Sequence, residues 1–172
     1  MLKSIKLLVL DVDGVLTKGE IIYDDKGREL KMFNVKDGLG VYLLGRTGIK
    51  TVFLTAKDSP VVRRRAKDMG VAQVIAGILP KEKVIDGLTR KYRVEKSELC
   101  FIGDDLIDIG VMRAVGLAIA PSDAPKQVRA AADLVTRKKG GEGAVREVVD
   151  LIFDAQGLTE KVYHAIKNPV KA

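Results

Sequence analysis

Short apolar runs recur along the chain, and the stretches between them carry apolar residues at helical spacing. Ile5–Leu10 is apolar except at Lys6, the pattern of a strand buried on both faces. Thr51–Leu54, Gln73–Ile75, Leu99–Ile102 and Leu117–Ala120 are shorter runs with strand character. Helices are predicted near Gly38–Gly45, Pro60–Met69, Lys81–Tyr92, Leu106–Ala114 and Pro125–Ala132, with Gly48, Gly70 and Gly116 placed as stops. A last amphipathic helix spans Ala144 to Gln156, with Val145, Val148, Val149 and Ile152 on one face. Strands alternating with helices predict an α/β fold: a doubly wound, mostly parallel, Rossmann-like sheet with helices on both faces. One segment breaks the alternation. Ile21–Tyr23, the turn Asp24-Asp25-Lys26-Gly27 and Glu29–Phe33 read as a β-hairpin, over about residues 20–33, projecting from the sheet after the first strand. Residues 1–156 form one domain on this reading. Residues 157–172 are expected to be a polar, mobile C-terminal tail.

The 172 residues fit a single domain, and a hydrophobic fraction of 47% suffices for a core. No run approaches membrane-spanning length, and the start carries no cleavable-leader pattern. One cysteine, Cys100, excludes an internal disulfide and points to a cytoplasmic protein. The net charge of +7 favours anionic partners. With aromatic content at 5% and no Trp, a small anionic ligand is expected rather than nucleic acid or a membrane.

Ligands of open α/β sheets sit at the carboxyl ends of strands. Two such ends are dense in carboxylates: Asp11-Val12-Asp13-Gly14 after the first strand, and Gly103-Asp104-Asp105 with Asp108 after a later one. Two carboxylates at 4 Å repel by about 4 kcal/mol at an effective dielectric near 20, so crowding them is a cost unless a cation resolves it. Oxygen donors without a Cys or His cluster select Mg²⁺. Thr55 ends another strand with Lys57 just beyond, and Lys81 opens a helix. A hydroxyl, a lysine and a divalent cation converging on one point suit phosphoryl transfer, which depends on positioning and charge neutralisation.

These four motifs in this order resemble the haloacid dehalogenase superfamily of phosphatases. The resemblance implies that Asp11 is the nucleophile, forming an aspartyl-phosphate, and that Asp13 is the general acid and base. Thr55 and Lys81 would bind the phosphoryl group. Mg²⁺ would be held by Asp11, the Asp13 main-chain carbonyl and Asp104, with Asp105 and Asp108 in supporting roles. Neither the Asp13–Thr55 gap nor the Thr55–Lys81 gap has room for a cap domain of roughly 50 residues or more. The site therefore needs another source of cover, which the hairpin and a neighbouring subunit are expected to provide.

From Ile5 to about Gln156 the chain is similar to one capless subfamily, the 3-deoxy-D-manno-octulosonate 8-phosphate phosphatases. Leu10–Thr17, Phe33–Gly38, Gly103–Asp108 and Gly140–Val148 carry the likeness. It implies a homotetramer joined through the hairpins, a role in lipopolysaccharide biosynthesis, and substrate contacts at Asp13, Asn34, Val35, Lys36, Asp37, Gly38, Lys57, Arg65 and Lys81. Two sites depart from the subfamily pattern: Thr55-Ala56-Lys57 stands where Thr-Gly-Arg is usual, and Tyr42 where enterobacterial enzymes carry a basic residue. Lysine keeps the charge but lacks the planar fork of arginine. These departures leave room for a related keto-deoxy sugar acid phosphate or a broader substrate range. A non-catalytic oligomeric regulatory domain is the alternative from another class, and the intact Asp11, Asp13, Lys81 and Asp104 set argues against it. Gly140–Gly143 reads as a turn before the last helix, with an anion cradle as the alternative.

Overall fold

Residues 1–167 are described by the computed structural model. Six strands form one parallel sheet: β1 (Leu7–Leu10), β4 (Lys50–Thr55), β5 (Gln73–Ala76), β6 (Leu99–Ile102), β7 (Leu117–Ala120) and β8 (Leu134–Val135), in the order β5-β4-β1-β6-β7-β8. The chain builds outward from β1 to β5 on one side, then crosses back to build β6 to β8 on the other. The reversal flanks β1, so the crevice at its carboxyl end is the natural ligand position. Every residue of β1 and β6 is buried, as continuous apolar runs require when helices cover both faces.

One face packs on α1 (Val35–Thr47), α2 (Pro60–Asp68) and α6 (Ala144–Gln156), through Val41, Leu44, Val62, Val148, Val149 and Ile152. The other packs on α3 (Ile85–Tyr92), α4 (Ile109–Met112) and α5 (Lys126–Ala131), through Ile85, Leu88, Val111 and Val128. The expected architecture is therefore present. Four details differ from the reading of the sequence, one being that the helix expected over Leu106–Ala114 splits into a 3-10 turn, Leu106–Asp108, and the short α4. The edge strand β8 was not anticipated, because two residues carry no period. The first turn expected in the helix near Lys81 is a separate 3-10 turn, Lys81–Val84. The segment after Gly157 is not a featureless tail: α7 spans Thr159–Lys167, buries Val162 against the core, and Lys161 Nζ donates to the Thr47 carbonyl at 2.9 Å. Residues 168–172 of the expected tail lie outside the described residues.

The hairpin joins β2 (Ile22–Tyr23) to β3 (Glu29–Leu30) by only two antiparallel pairs. Its turn is held locally: Asp24 Oδ1 accepts from the Lys26 and Arg28 amides, and Gly27 takes the left-handed φ of 72°.

Candidate active site

Parallel pairing of β1 with β4 and with β6 aligns their carboxyl ends. Asp11, Thr55 and Asp104 therefore emerge side by side, and the 3-10 turn after β5 adds Lys81. Asp11, Asp13, Thr55, Ala56, Lys57, Lys81, Asp104, Asp105 and Ile107 line one open cleft of about 220 Å³.

Lys81 is fully buried. Its Nζ lies 2.9 Å from Asp11 Oδ1 and 2.7 Å from Asp108 Oδ1. Burial pulls the ammonium pKa down, but the two carboxylates outweigh it and hold the group above its ordinary value. The other oxygen of Asp108 accepts from the Asp104 and Asp105 amides, at 3.0 and 3.2 Å. Asp108 thus has both oxygens engaged within the chain and ties Lys81 to the Asp104 loop. Gly103 makes room for it, since a Cβ there would sit 2.7 Å from the Asp108 Cβ.

Asp11 and Asp104 are different. Burial, then the negative charge of Asp108, lifts Asp11 to about 6 against the pull of Lys81. Burial, then the charges of Asp11 and Asp108, lifts Asp104 to about 8. Among the described residues, Asp104 Oδ1 is buried with no hydrogen-bond partner. Oxygens of Asp11, Asp104 and Asp108 lie within 4.8 Å of one another. With Asp108 occupied, the open donors are those of Asp11 and Asp104. An all-carboxylate set with an orphaned buried oxygen fits a hard divalent cation such as Mg²⁺. Gly14, at φ 84°, lets the loop after β1 close over this set: a Cβ there would fall 1.9 Å from Asp104 Oδ2.

Asp13 sits at the rim. Its Oδ1 accepts from Lys31 Nζ of the hairpin at 2.5 Å. Lys57 is tied to the same hairpin, with Nζ 2.8 Å from Glu29 Oε1. Neither Lys31 nor Glu29 stood out in the sequence, because a hairpin with alternating charges has the composition of an ordinary solvated surface.

The remaining expected substrate contacts do not line the cleft of their own chain. The Asn34 side chain caps α1, accepting from the Lys36 amide at 2.8 Å. Val35 is exposed, and Lys36 lies in a separate groove beside Arg146. Asp37 is buried; its Oδ1 accepts from the Arg146 amide at 2.7 Å, capping the start of α6. Burial raises its pKa against the pull of that amide and of Gly143. Arg65 Nη2 donates to the Asn34 carbonyl at 3.2 Å, and its guanidinium lies 5.6 Å from the Phe33 ring. Gly38 accommodates it, because a Cβ there would meet Arg65 Nη2 at 2.1 Å. The Gly140-Gly141 pair packs on the loop after β1: its amides donate to Asp123 and to the Val15 carbonyl, so they are not free to cradle an anion.

Residues 54–148 match the family model of haloacid dehalogenase-like hydrolases. The chain is 41% identical over 156 residues to the 3-deoxy-D-manno-octulosonate 8-phosphate phosphatase of Haemophilus influenzae, covering 91% of this chain and 87% of that one.

The chain belongs to the haloacid dehalogenase-like hydrolases.

The hydrolase is also 41% identical to the corresponding phosphatase of Escherichia coli K12, over 90% of this chain and 82% of the relative. Its backbone superposes on that phosphatase from Moraxella catarrhalis, solved with magnesium, phosphate and 3-deoxy-D-manno-octulosonate, with a TM-score of 0.91 at 42% identity, covering 96% and 95% of the two chains. A cobalt-bound form from Haemophilus influenzae gives 0.89 at 39% identity, covering 95% and 98%. Among the described residues, no helix is long and apolar enough to cross a membrane.

Proposed function

We propose that this hydrolase is a Mg²⁺-dependent phosphomonoesterase that cleaves 3-deoxy-D-manno-octulosonate 8-phosphate through an aspartyl-phosphate on Asp11. The observation that carries the reading is the pairing of Asp11 with Lys81 on one side and with the unpartnered Asp104 oxygen on the other. The substrate assignment rests on the relatives.

Asp11, Asp104 and the Asp13 main-chain carbonyl would hold the cation, which supplies charge neutralisation at the phosphoryl oxygens. Lys81 anchors Asp11 through one oxygen and adds positive charge beside it. The Asp11 carboxylate attacks phosphorus in line, and the ester oxygen leaves with a proton from Asp13. Asp13, now a carboxylate, takes a proton from water as that water attacks the same phosphorus. Phosphate departs and Asp11 is restored. The Thr55 hydroxyl and Lys57, at the cleft wall, orient the phosphoryl group and the anionic sugar acid.

The open cleft is completed in this reading by a homotetramer in the cytoplasm. Ile21, Tyr23, Leu30 and Met32 on the hairpin and Val35, Leu39 and Tyr42 along α1 are all exposed apolar side chains. Positions 35, 39 and 42 share one helix face. Such a surface fits burial against copies of itself, which would also bring Asn34–Gly38 and Arg65 toward a neighbour's site. Met32→Asp combined with Val35→Asp should yield smaller species in sedimentation, and an unchanged tetramer would refute this contact surface.

Phosphate release measured across sugar phosphates with Mg²⁺ tests the substrate. A strong preference for the eight-carbon keto acid is expected. Equal rates on hexose and nucleotide phosphates would reveal a generalist, and no release from any of them would favour a regulatory module.

A further inference from the structure

We infer that Lys31, carried on the hairpin, is a positioning residue for Asp13, and that Glu29 fixes Lys31 in place. The inference rests on the acid–base role of Asp13 proposed above. Asp13 is a rim residue with its side chain 39% exposed, so its carboxyl has several rotamers available to it. A proton donor must come within about 2.6–3.2 Å of the leaving oxygen. Among the described residues, Lys31 is the partner the structure gives that carboxylate.

The Lys31 side chain is only 5% exposed, unusual for a lysine on a two-pair hairpin. Its ammonium lies between Asp13 Oδ1 and Glu29 Oε1, the latter at 3.4 Å. Glu29 Oε1 also receives Lys57 Nζ. Four charges therefore alternate in sign from Asp13 through Lys31 and Glu29 to Lys57, joining the hairpin to both the acid–base residue and the cleft wall. A lysine so buried and engaged by two carboxylates is suited to holding one of them by Oδ1, with Asp13 Oδ2, unbonded among the described residues, facing the leaving oxygen. The hairpin is then part of the reaction geometry as well as cover for the site.

The test compares kcat/KM for an alkyl ester, ethyl phosphate, with that for p-nitrophenyl phosphate. Both pass through attack by Asp11, but only the alkoxide needs a well-placed proton donor. A misplaced catalytic group costs about 10²-fold. Lys31→Met is expected to lower the alkyl-ester value by about that factor while sparing most of the aryl-ester value, with thermal midpoint and oligomer size retained. Lys31→Arg, which keeps a cation, recovers most of the loss. If Lys31→Met does not fold, Glu29→Gln is the second variant and should show a smaller fall with the same selectivity. Equal falls on the two esters, or no fall, in whichever variant folds would overturn the inference. Retained turnover in Asp11→Asn would instead overturn the underlying aspartyl-phosphate reading.

Discussion

Asp108→Asn separates two roles that the sequence leaves entangled, anchoring Lys81 and ligating the metal. The substitution preserves shape but not bonding. Asp108 accepts Lys81 on one oxygen and two backbone amides on the other. An asparagine has one acceptor, so either the buried ammonium or the two amides must face its NH₂ group. Breaking a fully buried ion pair costs about 3–5 kcal/mol. Because one acceptor survives, we place the loss near the lower end, at about 3 kcal/mol. The lost charge also relieves repulsion on Asp11 and Asp104, a gain that is largely absent when Mg²⁺ already neutralises them. The assay is therefore calorimetric unfolding in saturating Mg²⁺. A chain of this size loses about 2–4 °C per kcal/mol, so a fall of roughly 6–12 °C is expected. Mg²⁺ binding, followed by isothermal titration, should persist and weaken by about 10–100-fold, as for residues that orient a ligand. Unchanged stability with abolished Mg²⁺ binding would refute the reasoning and make Asp108 a ligand.

Three further outcomes are expected. In the cation-free fold Asp11 and Asp104 titrate near 6 and 8, against 3.8 ordinarily, so the folded state binds protons that the unfolded chain has already released. Its stability therefore falls as pH rises from about 4 to about 8, and Mg²⁺ should raise the melting temperature more at about pH 8 than at about pH 5; an equal rise at both would contradict the crowding of these carboxylates. Gly140→Ala would drive a Cβ to 1.7 Å from the Gly14 carbonyl, costing about 1–3 kcal/mol and weakening Mg²⁺ binding. Gly27→Ala, with nothing within 4 Å, should cost only the left-handed backbone penalty of about 1–2 kcal/mol and leave Mg²⁺ affinity alone.

The sheet and the cleft were legible in the chain for different reasons. Ile5–Leu10 and Leu99–Ile102 declare themselves as buried strands because flanking helices leave them no polar face. Carboxylates at such strand ends have few purely structural explanations, so Asp11 and Asp104 stood out. Lys31 and Glu29 did not, since their importance depends on where the hairpin folds back. Asp37 and Arg65 show the opposite limit. The subfamily likeness pointed both to substrate, yet in this structure they cap α6 and brace Phe33 and Asn34. Periodicity cannot tell a residue that builds the scaffold from one that contacts a ligand. The helix Thr159–Lys167 was hidden because Val162, its buried anchor among the described residues, is too little to register as a stripe.

Covalent trapping at Asp11 examines the mechanism most directly. Turnover of 3-deoxy-D-manno-octulosonate 8-phosphate with Mg²⁺ is quenched and reduced with borohydride, which converts a phosphorylated aspartate to homoserine, and the peptides are mapped by mass. Conversion at Asp11, lost in Asp11→Asn, is the predicted result. Conversion at Asp13 or Asp104, or full turnover by Asp11→Asn, would contradict it.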